Sequence, residues 1–255
     1  MFVAADGGRP VVTSRASAND LGGLPALPPR ASTAEHAAQM LRLQITQGRL
    51  LPGTQLREER VSAAFAISRN TVREAFRLLS HERLVDHTLN RGVYVRTVTP
   101  DDIRAIYETR RLVEPLGVEA AIGDDTVQTA LRALVDTAGI AAKRQEWDLV
   151  ATSDIDFHRA LVCACNSTHL STMFEHLLAE LRLAFLLLPD RRALHEPYVV
   201  RNARLVSQLD AGDRAGALAE LSEYLDVAER HVLKAVEHPA LAGGSVRLGT
   251  EGANL

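Results

Sequence analysis

Cysteine, tryptophan and long apolar runs are all scarce in this chain, and each scarcity closes off a class of protein. Two cysteines, Cys163 and Cys165, cannot build a disulfide framework. On a helix they would point about 200° apart, so they form no chelating pair and read as core thiols. The apolar run Leu183 to Leu188, in "LRLAFLLLP", is far too short to span a bilayer. The N-terminus lacks the basic start and apolar core of a secretory signal. A soluble chain in a reducing, cytoplasmic setting, with no membrane partner, is the expectation. Aromatics make up only 4% of residues and β-branched runs are few, whereas Leu and Ala are abundant. That balance favours a mainly α fold. The single tryptophan, Trp147, reads as an anchor at the start of a helix.

What is present is unevenly spread. The 255 residues suit two domains, and the net charge of −3 divides between them. Residues 31–100 carry ten Arg against six acids, whereas residues 101–255 carry sixteen Lys or Arg against twenty-four acids. A small basic domain joined to a larger acidic one suggests a polyanion binder attached to something else.

Residues 1–30 are rich in Gly, Pro, Ser and Ala without hydrophobic period, and read as a disordered arm. Ser32 or Thr33 can cap a helix to about Gln47, with Ala37, Met40, Leu41 and Ile45 on one stripe. Gly48 and a Pro52–Gly53 turn end it. A short helix fits Glu58 to Phe65, and another runs from Arg69 to about Glu82 with Val72, Ala75, Phe76 and Leu79 inward. Two short β-type runs then flank a turn at Asn90, Arg91 and Gly92. Three helices and a two-stranded hairpin over residues 31–98 lay out a winged helix-turn-helix. After Thr99-Pro100 the pattern predicts six helices, at about 101–122, 124–143, 147–165, 168–188, 197–211 and 213–237. They form an all-α bundle over residues 101–238, followed by a Gly-rich, flexible tail over 239–255.

The most informative stretch is "ISRNTVREAFRLL". A helix entering the major groove needs short polar residues and Arg at its N-terminal end, with an apolar stripe behind. Ser68, Arg69, Asn70, Thr71 and Arg73 supply the first, and Val72, Phe76 and Leu79 the second. Arg91, beside Gly92 at the hairpin tip, is placed like a wing residue that touches the DNA backbone or minor groove.

The stretch "LPGTQLREERVSAAFAISRNTVREAFRLLSHERLVDHTLNRGVYV" resembles the DNA-binding domain of GntR-type bacterial transcription regulators. The shared marks are the PG turn, the "SRNTVREAF" helix and the "RGVYV" wing. Arg83 departs from the pattern, which usually has Gly there. "YETRRLVEP", "DIDFHRALVCACN" and "GDRAGALAEL" are similar to the FCD effector domain of the FadR-like branch, in its six-helix, VanR-type form. The resemblance implies a homodimer joined through the helical domains. It also implies a near-palindromic operator in double-stranded DNA, and a small effector that releases or retains it.

Asp154 and His158 lie one helical turn apart, a common way to offer two metal ligands. The resemblance implies a divalent metal of zinc or nickel type held by one Asp and three His. The remaining two positions fall on Asn202 and Tyr224. His231 is two turns beyond Tyr224, about 10 Å away, and His195 reads as part of the loop before the fifth helix. His169 and His176 lie where the family offers no ligand. The metal site on Asp154 and His158 is therefore degenerate, and no cofactor is assigned. Asp154 is expected instead to fix the His158 tautomer. His158, Asn202 and Tyr224 would then surround an effector cavity, with Arg110 suited to a carboxylate. A satisfied polar cluster without ligand, with Arg110 paired to Glu114, is the alternative.

The leading reading is thus a DNA-binding repressor modulated by a small organic acid or related metabolite, with no catalytic residues. A ligand-independent regulator with a collapsed pocket, and a metal-dependent enzyme using Asp154 and His158, are the alternatives.

Overall fold

A computed structural model describes residues 32–89, 91–188 and 190–237. The predicted arm at 1–30 and the tail at 239–255 lie outside them. The described residues form nine helices and three short strands.

Helix α1 (Thr33–Thr46) begins at a capping box, in which Ser32 and Glu35 satisfy each other's backbone N–H groups. Its buried stripe is Ala34, Ala37, Ala38, Leu41 and Ile45. Met40, expected on that stripe, is 48% exposed, because the i, i+3, i+4 row runs through the alanines instead. β1 (Gln55–Leu56) is an element the sequence reading did not contain, being only two residues long. After α2 (Glu58–Phe65), α3 (Arg69–His81) buries Val72, Ala75, Phe76 and Leu79, as expected. β2 (Val85–Thr88) and β3 (Gly92–Val95) form the hairpin. β1 pairs with the free edge of β3, so the wing is a three-stranded antiparallel sheet in the order β1-β3-β2.

Six helices follow: α4 (Pro100–Ala121), α5 (Asp125–Lys143), α6 (Trp147–Cys163), α7 (Thr168–Leu186), α8 (Arg191–Asp210) and α9 (Arg214–Glu237). Most ends fall within two residues of expectation. α8 is the exception, starting at Arg191 on an Asp190 cap rather than at 197. Pro197, at the expected start, lies inside the helix. Gly117 sets the α4–α6 crossing: a Cβ there would lie 2.3 Å from the Leu161 carbonyl oxygen. Only glycine permits this approach, which brings the polar residues of α4 against α6. Cys163 is exposed and Cys165 half-buried, at and just beyond the end of α6, so they are not core thiols. Trp147 does begin α6, half-buried, with the Arg192 guanidinium over its ring.

The two domains meet through charged residues. Arg83, at φ +57, reaches Asp102 at 3.0 Å and Glu180 at 3.3 Å. Arg96 reaches Asp102 at 2.7 Å and Glu180 at 3.5 Å. Burial raises the Glu180 carboxyl pKa, against the pull of Arg83 and Arg96.

Candidate functional site

The N-terminal turn of α3 faces solvent. Ser68 caps it, its hydroxyl accepting from the Thr71 N–H at 3.1 Å and lying 2.8 Å from the Thr71 hydroxyl. Arg69, Asn70 and Arg73 are exposed and Thr71 is half-buried. Both arginines are held by acids in the first turn of α2. Arg73 Nε donates to the two Glu58 carboxylate oxygens at 3.0 and 2.9 Å, and Arg69 lies 3.3 Å from Glu59. Sequence reasoning missed this cross-helix pairing, because acids in a first helical turn already have a local reason to be there. At the wing tip Arg91 is exposed, and its carbonyl accepts from Gln55 Nε2 at 2.9 Å. Gly92 has φ +96, the left-handed region that the turn requires.

The second site is buried within the bundle. Asp154 Oδ1 accepts from Asn202 Nδ2 and from the Tyr224 hydroxyl, each at 2.8 Å. His158 does not share this bond; its Nε2 stands 4.0 Å from Asp154 Oδ1. Its Nδ1 instead faces Glu114 Oε2 at 2.6 Å, and Arg110 Nε donates to Glu114 Oε1 at 2.5 Å. The tautomer expectation thus had the wrong carboxylate. Asp154 lies on the same helix as His158, whereas Glu114 approaches from α4. Burial opposes the Glu114 charge, but Arg110 and His158 outweigh it and hold its carboxyl below the usual range. Glu114 is therefore a carboxylate, and Nδ1 of His158 carries the proton.

The five residues singled out for an effector do come together. Arg110, Asp154 and Tyr224 line one small cavity with Tyr107, Tyr198 and His195. His158 and Asn202 sit behind it, bonded to or facing the same residues. The His158 ring packs 4.8 Å from that of Tyr224, which in turn lies 4.9 Å from Tyr198. His195 is not in a loop. It is a buried residue of α8, edge-on to Phe185, and burial lowers its pKa to about 4. It was misplaced because the helix start was read at Pro197.

A divalent ion does not fit these residues. Asn202 and Tyr224 direct donors at the carboxylate that would have to bind the metal. Burial and the Asp154 charge hold the Tyr224 phenol well above its ordinary pKa, so it is a poor anionic ligand. The Arg110 guanidinium lines the same cavity, adding a positive charge. Among the described residues no three His, Cys, Asp or Glu side chains converge on one point. The cluster does keep three buried polar atoms without a partner: Arg110 Nη2, His158 Nε2 and Asn202 Oδ1.

A recognition helix with its cations turned outward, followed by a wing, is a device for reading duplex DNA. Carried on an all-α bundle with a buried polar cluster, it defines a DNA-binding transcription regulator. Residues 33–95 match the "Bacterial regulatory proteins, gntR family" description and residues 105–227 match the FCD domain. The chain is 30% identical to the gluconate operon transcriptional repressor of Bacillus licheniformis, over 66% of this chain and 70% of that one. It is 28% identical to the repressor of the same name from Bacillus subtilis (strain 168), over 77% and 84%. A solved putative GntR transcriptional regulator from Rhodococcus sp. RHA1 superposes with a TM-score of 0.74 at 38% identity, covering 79% of this chain and 98% of that one. The chain belongs to the GntR family of bacterial regulators, with an FCD domain following the DNA-binding domain. No helix among the described residues is long and apolar enough to cross a membrane.

Proposed function

We propose that the chain is a repressor without enzymatic activity. It binds a near-palindromic operator as a homodimer and responds to a small organic acid in the helical domain. Arg69 and Arg73, with Asn70 and Thr71, read base edges, while Arg91 and Gly92 bring the wing to the DNA backbone. Exposed Leu112 and Leu116, one turn apart on α4, supply apolar surface suited to a second copy.

The observation that carries the effector reading is the set of three unpartnered buried atoms on Arg110, His158 and Asn202. A buried polar group without a partner costs about 1–3 kcal/mol, so three in one cluster favour a polar ligand. A carboxylate suits the free Arg110 N–H groups. The cavity volume is about 10 Å³, room for about one water molecule. An organic acid therefore binds only a more open bundle, and binding shifts the population between the two states.

The test is a gel shift with and without candidate acids, using wild type, Arg69→Ala and Arg110→Gln. Arg69→Ala should lose discrimination between operator and random DNA. Arg110→Gln should bind operator but no longer respond to acid. Operator binding that no acid alters, with no thermal shift at millimolar acid, would leave the ligand-independent regulator standing.

A further inference from the structure

A larger cleft lies between the DNA-binding domain and the bundle, away from the Arg110 cluster. Its volume is about 560 Å³, within the range of small-ligand pockets. α1 forms one wall, through Arg42, Thr46 and Gln47, and α6 and α7 form the other.

The charges in it are not equally satisfied. Arg42 is paired with Glu82 at 2.5 Å, and Arg159 with Glu175 at 2.6 Å and with Asp156. Arg182, half-buried on α7, has no such carboxylate. Its Nε donates to the Thr46 carbonyl at 3.2 Å, and its Nη1 is buried without any partner. Burial lowers its pKa, opposed only by the more distant charge of Asp156. Guanidinium nevertheless stays protonated in proteins, so the charge persists. The Thr46 carbonyl belongs to the last turn of α1, where the helix end offers about half a negative charge. That offsets part of the guanidinium charge and leaves most of its five donors free.

We propose that this cleft binds a small oxyanion, carboxylate or phosphate in type, through Arg182, with His176 as a second donor from the same wall. Such a ligand would touch α1 of the DNA-binding domain and α6 and α7 of the bundle at once. It would share Arg182 with the end of α1, so binding would be felt directly by the DNA-binding domain. This site is separate from the proposed effector cavity and does not depend on it.

The test is calorimetric titration of the full-length protein with inorganic phosphate at fixed ionic strength. Wild type should give a saturable isotherm with one site per chain. Arg182→Gln should bind at least about tenfold more weakly, a loss of roughly 1.4 kcal/mol. Thr152→Glu places a negative charge on an exposed cleft residue without touching Arg182, and should also weaken binding. If Arg182→Gln fails to fold, Thr152→Glu decides. The proposal is overturned by no saturable binding to wild type, or by wild-type affinity in the cleft variants.

Discussion

Glu114 and His158 face each other across the α4–α6 crossing, with Oε2 of the first 2.6 Å from Nδ1 of the second. Both are almost fully buried, and Arg110 closes the row on the other Glu114 oxygen. A buried carboxylate between two donors holds its neighbours in one orientation, and here it aims His158 Nε2 toward Asp154.

Replacing Glu114 by Gln leaves the Arg110 guanidinium buried without a counter-charge. Breaking a buried pair from one side costs about 3–5 kcal/mol, so Glu114→Gln should be among the most destabilising single changes in the bundle. Urea denaturation of the variant checks this, and a loss below about 1 kcal/mol would mean that the pair contributes little.

His195 predicts a pH dependence. Its folded pKa, about 4, lies below the ordinary 6.5, so between these values the unfolded chain binds more protons than the folded one. Stability from this group is fully present above about pH 6.5 and is lost as pH falls toward 4, at up to roughly 1.4 kcal/mol per pH unit. Melting temperature against pH should therefore fall less steeply in His195→Leu than in wild type over that window. Parallel curves would exclude His195 as the source.

Arg83 occupies a left-handed backbone position, φ +57, while its side chain ties the turn to Asp102 and Glu180. Two substitutions separate the effects. Arg83→Ala loses the ion pairs and keeps the strained backbone; Arg83→Gly loses the pairs but relieves the strain. The glycine variant should be more stable than the alanine variant by about 1 kcal/mol. Equal stabilities by chemical denaturation would show that the turn relaxes around alanine.

Because the donor set around Asp154 does not fit a divalent ion, dialysis against a chelator should leave the melting temperature unchanged. A drop of several degrees, restored by zinc or nickel, would show that the cluster rearranges to bind metal.

The helices of both domains were legible in the sequence because capping residues and apolar periods are local signals. Ser32 precedes the helix it caps, α4 begins at the expected Thr99-Pro100 boundary, and the buried face of α3 is the one its pattern names. β1 and the first turns of α8 were not legible. A two-residue strand exists only through its pairing with β3, and the first turns of α8 run ahead of the expected start at 197, from an Asp190 cap. At the candidate sites, Arg110, Asp154, His158, Asn202 and Tyr224 were found by spacing and resemblance, and they do gather around one point. Of their bonding, the Arg110–Glu114 pair was foreseen as an alternative, whereas the partners of Asp154 and His158 were not.

Composition and periodicity along the chain are enough to specify a basic winged domain on a mainly helical, acidic one. Long-range packing, by contrast, sets Asp154 against Asn202 and Tyr224, turns His158 toward Glu114, and leaves Arg182 in the interdomain cleft with no carboxylate partner of its own. Hydrogen bonds of this kind join residues 44 to 70 positions apart. Their partners are chosen by how closely helices cross, which here turns on Gly117 against Leu161 rather than on any local pattern.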